Sequence, residues 1–147
     1  MEFTVRQIED FREVAQFVAS DLEAGDTVLL NGDMGAGKTT LMGFIASEIE
    51  ISDQISSPTY AIVNSYKSKT FGNVHHFDCY RLDNEMEAIE SGLDELIDDN
   101  GICFIEWSEK ISKLLPDTCV EVNISVDGSL HRHVTVNRKP SKPKTEL

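Results

Sequence analysis

From Ile8 onward the apolar residues Phe11, Val14, Ala15, Val18, Ala19 and Leu22 return every three or four positions, and Gly25 closes the segment. That spacing predicts one amphipathic helix. Thr27-Val28-Leu29-Leu30 is a short unbroken apolar run, read as a buried strand, and Leu41 to Ile49 returns to helical periodicity. Beyond a polar stretch from Ser52 to Ser57, the segments Tyr60–Tyr66 and Asn73–Cys79 read as strands joined by a hairpin through Lys67 to Gly72. A short helix over Glu85–Ser91 stops at Gly92, and Leu93–Asp99 follows as a brief acidic helical turn. Gly101–Trp107 is the most apolar run of strand length, typical of a central parallel strand. Ser108–Leu115 reads as a short helix stopped by Pro116. Cys119–Val126 alternates apolar and polar, turns at Asp127-Gly128 and returns as Leu130–Val136, a hairpin signal. The expected fold is a single three-layer α/β domain over residues 1–137, with a mainly parallel central sheet and antiparallel edge strands. A disordered tail is expected over 138–147.

The first strand runs into Gly32-Asp33-Met34-Gly35-Ala36-Gly37-Lys38-Thr39-Thr40, the Gly-x-x-x-x-Gly-Lys-Thr spacing of a P-loop. Four constrained positions at this spacing arise by chance in such a chain about one time in a few hundred. Gly32, Gly35 and Gly37 let the backbone wrap with its N–H groups inward, and the following helix points its positive end at the same anion. Lys38 would then reach the outer phosphates, with the Thr39 hydroxyl on a bridging Mg2+. The fold class is therefore a P-loop NTPase domain. Ile8, near the loop mouth, either walls an adenine or packs in the core.

Hydrolysis needs an acidic partner at the end of a nearby strand. Glu106 ends the most apolar strand; its ordinary alternative is to cap the following helix. Asp78 ends a more polar strand and is otherwise a turn aspartate. Thr59, after Pro58, re-enters the sheet where switch-type nucleotidases sense the γ-phosphate, and is otherwise a strand-initiating residue. Lys38, Asp78 and Glu106 are the candidate catalytic residues.

Charge narrows the partners. Thirteen basic residues stand against twenty-six acidic ones, a net charge of −13. A chain that grips nucleic acid by itself needs a basic footprint, so no direct grip on nucleic acid is expected and such chemistry would go through a partner. No run of eighteen apolar residues predicts a membrane span, and Met1–Val5 does not read as a secretory leader. Cys79, Cys103 and Cys119 lie in apolar surroundings as small core residues, so a reducing, cytoplasmic setting is expected. His131 and His133 share a strand face with no third ligand in view, while Arg132 between them points to the other side and is a candidate nucleotide contact. Asp98-Asp99-Asn100-Gly101 matches a GTPase Asp-x-x-Gly but precedes a strand where that motif follows one, and no guanine-reading motif accompanies it. Glu85, Glu87, Glu90, Asp94 and Glu95 form a solvated face or a docking surface for a basic partner.

The glycine-rich run together with Ser57-Pro58-Thr59-Tyr60, His76-Phe77-Asp78-Cys79-Tyr80-Arg81-Leu82 and Ile105-Glu106-Trp107 resembles the TsaE family. That family is the small bacterial P-loop ATPase of tRNA threonylcarbamoyladenosine (t6A) synthesis. The likeness extends from about Glu9 to Val136. Met34, Cys79 and Ser108 depart from the common leucine, leucine and proline without removing a functional group. The resemblance implies that Lys38 binds phosphate, that Thr39 and Glu106 hold magnesium, and that Asp78 and Thr59 belong to the ATP site with Trp107 beside it. It implies weak ATP hydrolysis made productive by TsaD-like and TsaB-like proteins. In that scheme TsaD places threonylcarbamoyl on adenosine 37, and ATP turnover resets the complex between rounds. His76 has no role beyond structural support at this level. The competing reading is a small-molecule or nucleotide kinase. That chemistry uses a cationic lid, whereas the chain has five arginines with only Arg81 near a motif. A nucleotide-gated binding protein without turnover is a third.

Overall fold

The strands that the hydrophobic pattern marks most strongly form the middle of the sheet. In the computed structural model, which describes residues 1–56, 58 and 62–140, seven strands and four α-helices build one α/β domain. The strands are β1 (Glu2–Val5), β2 (Thr27–Asn31), β3 (Val63–Ser68), β4 (Gly72–Asp78), β5 (Ile102–Glu106), β6 (Thr118–Val126) and β7 (Arg132–Pro140). The helices are α1 (Phe11–Asp21), α2 (Lys38–Glu48), α3 (Glu85–Glu90) and α4 (Leu93–Ile97). The sheet order is β1-β7-β6-β2-β5-β4-β3. Its four central strands β6, β2, β5 and β4 are parallel, and the flanking pairs β6–β7, β7–β1 and β4–β3 are antiparallel.

Alternation along the strands divides the core in two. Val28, Leu30, Ile102, Phe104, Val120 and Val122 face α1 and α2, whose Phe11, Val14, Val18, Leu41, Met42 and Ile45 complete that layer. Leu29, Phe77, Cys103, Ile105 and Cys119 face the other way, onto Ala88, Leu93, Ile97, Ile111 and Leu115. Every residue of β5 is buried, because it has helices on both faces and a strand on each side. The three thiols are buried, and burial pushes Cys79 and Cys103 up to about 12, so neither forms a thiolate readily near neutral pH. Among the described residues no helix is long and apolar enough to cross a membrane.

Four local outcomes differ from the sequence pattern. Residues 2–5 form β1, an edge strand with only Val5 fully buried. The first helix starts at Phe11, because Ile8–Asp10 is a 3-10 turn tied by Asp10 Oδ2, which accepts the Arg6 and Gln7 amides at 2.9 and 3.1 Å. That turn leaves Ile8 exposed (61%) rather than in the core. Ser108–Leu114 is 3-10 rather than α-helix, broken at Ile111 so that Ile111 and Leu115 both reach the core. Strand β7 continues through three residues of the expected tail, where Arg138 donates to Asp26 at 2.9–3.0 Å and to the Asp21 carbonyl at 3.0 Å. Residues 141–147, like Tyr60 and Ala61 of the expected strand, lie outside the described residues.

Candidate functional site

Helix α2 leaves β2 toward one face of the sheet, while the 3-10 segment leaves the adjacent β5 toward the other. Neighbouring parallel strands whose connections diverge open a crevice at their C-terminal ends. Here that crevice is a cleft of about 420 Å³ lined by Met34, Gly35, Gly37, Lys38, Thr39, Thr40, Asp78, Glu106, Trp107 and Arg132. A second cavity of about 500 Å³ adjoins it across Lys38 and Trp107, between β2, β6 and the 3-10 segment.

The loop that closes the cleft depends on backbone that only glycine adopts easily. Gly37 has φ 114°, and a Cβ there would stand 2.8 Å from Phe11 Cζ. Gly32 has ordinary φ, but a Cβ would meet the Ile124 carbonyl at 2.8 Å. With Gly37 as the N-cap and no side chain capping the helix, the amides of Lys38, Thr39 and Thr40 have no acceptor within α2. A helix start of this kind accommodates an anion. Gly37→Ala combines strained backbone with overpacking and should cost about 2–4 kcal/mol, a fall in Tm of about 5 °C or more. Gly43, inside α2 with nothing within 4 Å of its would-be Cβ, is the control: Gly43→Ala should raise Tm. Equal melting curves for the two variants would contradict this account of the loop.

Lys38 is buried, and its Nζ donates to the Gly32 carbonyl at 2.6 Å. The same ammonium lies 3.8 Å from Glu106 Oε1 and 4.4 Å from the centroid of the Trp107 ring. Trp107 is fixed by its place in the chain: it turns out of β5 with φ 57° and ψ 46°, and its ring meets Tyr80 at 5.0 Å. Glu106 does not cap the 3-10 segment; its Oε2 lies 2.6 Å from His76 Nε2. Asp78 stands opposite Glu106 in the β4–β5 register, so both carboxylates end neighbouring strands at the same level. Asp78 Oδ1 also accepts the Tyr80 amide at 3.0 Å, so it is a turn residue as well as a cleft residue. Arg132 reaches the loop from the start of β7, donating from Nε to the Ala36 carbonyl at 2.7 Å.

The cleft thus collects Gly35, Gly37, Lys38, Thr39, Thr40, Asp78, Glu106, Trp107 and Arg132, with Ala36 buried beneath and Gly32 bonded to Lys38. Ile8 is not part of its lining. Thr59 lies outside the described residues. Asp99 is elsewhere, bonded to Gly101 N at 2.9 Å and His75 Nε2 at 2.7 Å, and His133 pairs with Asp127 of the hairpin turn at 2.8 Å. The partnership of His76 with Glu106 is the one feature that the sequence pattern left without a role. Parity along β4 puts His76 and Asp78 on one sheet face, but only the register between β4 and β5 brings Glu106 to that face beside them.

The donor set of the cleft suits a hard cation. The Thr39 hydroxyl and the Glu106 carboxylate line one space, with Asp78 nearby. No group of three or more His, Cys, Asp or Glu side chains gathers among the described residues to cage a metal. The hydroxyl and carboxylate that do line the cleft are hard oxygen donors, the kind a hard cation takes from protein when phosphate and water fill its other positions.

The family model for the Threonylcarbamoyl adenosine biosynthesis protein TsaE matches residues 5–134. The chain belongs to the TsaE family. The tRNA threonylcarbamoyladenosine biosynthesis protein TsaE of Bacillus subtilis (strain 168) is 33% identical over 127 residues, 86% of this chain and 78% of that protein. TsaE of Rickettsia prowazekii (strain Madrid E) is 34% identical over 137 residues, 92% and 94% of the two chains. The crystal structure of Bacillus subtilis YdiB superposes with a TM-score of 0.74 at 26% identity, over 95% of this chain and 85% of that one. The TsaE match spans every cleft residue named above, from Gly32 to Arg132.

Proposed function

We propose that this chain binds and hydrolyses ATP as an accessory subunit of t6A37 modification, acting on a TsaD–TsaB-type complex in the cytoplasm. One observation carries the reading: the free amides of the α2 start, the Lys38 ammonium and the carboxylates of Asp78 and Glu106 share a single cleft. Family membership supports the pathway, because the relatives named above are t6A biosynthesis proteins. The net charge of −13 supports docking on protein rather than on tRNA.

In this reading the amides of Gly35 to Thr40 and Lys38 Nζ bind the β- and γ-phosphates, and Arg132 supports the loop from the rear. Thr39 and Glu106 would hold Mg2+, which neutralises charge on the phosphoryl oxygens when bound. Asp78 or Glu106 orients a water in line with the γ-phosphorus. The water oxygen forms the new P–O bond, the bond from the γ-phosphorus to the bridging oxygen breaks, and ADP leaves with that electron pair. Phosphate release measured on the chain alone and with TsaD-like and TsaB-like proteins tests this. Slow release alone and faster release in the complex is the expected result. ATP binding without any release in either setting would leave a nucleotide-gated binder. Transfer to an acceptor in a phosphoryl-acceptor screen would favour the kinase.

A further inference from the structure

We infer that His76 is a positioning residue for Glu106: its Nε2–H anchors one carboxylate oxygen so that the other is presented to the cleft, which sets how well the site accepts magnesium with its nucleotide. This rests on the reading of Glu106 as a magnesium ligand given above.

The geometry singles His76 out. It is completely buried in β4, and its Nε2 lies 2.6 Å from Glu106 Oε2. Its other ring nitrogen, Nδ1, is buried and has no hydrogen-bond partner among the described residues. A ring whose hydrogen sat on Nδ1 alone would bury a donor without an acceptor and would turn a lone pair from Nε2 toward the carboxylate. The hydrogen between the two side chains is therefore on Nε2 and donated to Glu106. An apolar residue would fill the same space without burying an unpaired nitrogen. Holding His76 there is favoured only by what Nε2 does.

What Nε2 does is divide the two oxygens of Glu106. Oε2 is spoken for, while Oε1 looks toward Lys38 at 3.8 Å and the cleft beyond. A phosphate that draws Lys38 to itself weakens the second contact and leaves His76 as the fixed one. An oriented carboxylate binds a metal without first losing side-chain freedom, which is how groups behind a ligand tune affinity.

Calorimetric titrations of ADP at graded Mg2+, with an EDTA control, would compare the native chain with His76→Phe and His76→Gln. Phenylalanine fills the space without a donor, whereas the glutamine amide can place an N–H near the position of Nε2. For His76→Phe the Mg2+ needed for half the metal-dependent gain should rise about tenfold or more. Metal-free ADP affinity should be unchanged, and glutamine should recover most of the loss. A purely structural role would change both affinities together and would not be rescued by glutamine. His76→Phe responding to Mg2+ as the native chain does, or glutamine faring as badly as phenylalanine, overturns the inference. Should the phenylalanine variant not fold, nitrogen NMR of the native imidazole decides. An Nε2–H tautomer whose Nε2 signal moves on adding Mg2+ and ADP is expected; an Nδ1–H tautomer or an unmoved signal refutes it. A native chain that binds no nucleotide, with or without metal, takes down the ATPase reading as well. Native binding strengthened by Mg2+ beside an unaffected His76→Phe takes down only the role of His76.

Discussion

Titrating ATP or ADP with Mg2+ into Lys38→Ala is expected to give no measurable binding heat where the native chain gives a saturable isotherm. The ammonium is already inside the cleft before any ligand arrives. Its Nζ is held by the Gly32 carbonyl at 2.6 Å and by the Trp107 face, so little freedom is lost when a phosphate takes it over. Charge-assisted bonds of this type contribute about 1.5–3 kcal/mol each, so losing two amounts to roughly two to four decades of affinity. The sign is reinforced by Glu106. Its Oε1, 3.8 Å from the ammonium, loses that cation in the variant, so the empty cleft is more negative when the nucleotide arrives. A melting curve of the variant separates this from unfolding, since Glu106 keeps its bond to His76. A folded Lys38→Ala chain with native affinity would place the phosphate grip elsewhere.

The parts of this site that a reader could find in the sequence are those written locally. Gly32 to Thr40 is a contiguous motif, and β2 and β5 are runs buried on both faces, so their apolar character needs no partner to be seen. The same locality explains why Glu106, at the end of β5, was findable. Strand β1 was not, because a four-residue edge strand with one fully buried side chain leaves no alternation to detect. The exposure of Ile8 has a different cause. Helical periodicity carried back from Phe11 crosses a 3-10 turn whose angular step differs from that of an α-helix, and the Asp10 side chain sets that turn, which excludes the core placement of Ile8. The pairing of His76 with Glu106 is non-local, thirty residues apart in the chain. Parity along β4 says which face His76 takes; the register Asp78–Glu106 says whom it meets, and no local pattern contains that register. The function of a motif is legible where its geometry is made by neighbours in the chain, and illegible where strand pairing makes it.

Glu106→Gln is the second variant with a large expected effect, and its sign differs between binding and turnover. The amide keeps the size of the carboxylate and retains an oxygen that can accept from His76 Nε2–H, so the fold and the cleft walls should survive. Removing the charge relieves a repulsion of phosphates, so ADP affinity without metal should hold or rise. Turnover should fall by about 10²–10³, the loss typical of deleting one preorganised electrostatic group. The gain in affinity that Mg2+ brings should shrink in parallel, because a neutral amide oxygen is a poorer ligand for a hard cation. Asp78→Asn sharpens the reading. Asp78 occupies the same level of the next strand and is also tied to Tyr80 N, so it is the other candidate for orienting water. Turnover lost in both variants but Mg2+ dependence lost only in Glu106→Gln assigns the metal to Glu106 and the water to Asp78. Native turnover in Glu106→Gln, with metal dependence lost instead in Asp78→Asn, would exchange the two roles. In that case the bond from His76 would serve the packing of β4 against β5 and nothing in the chemistry.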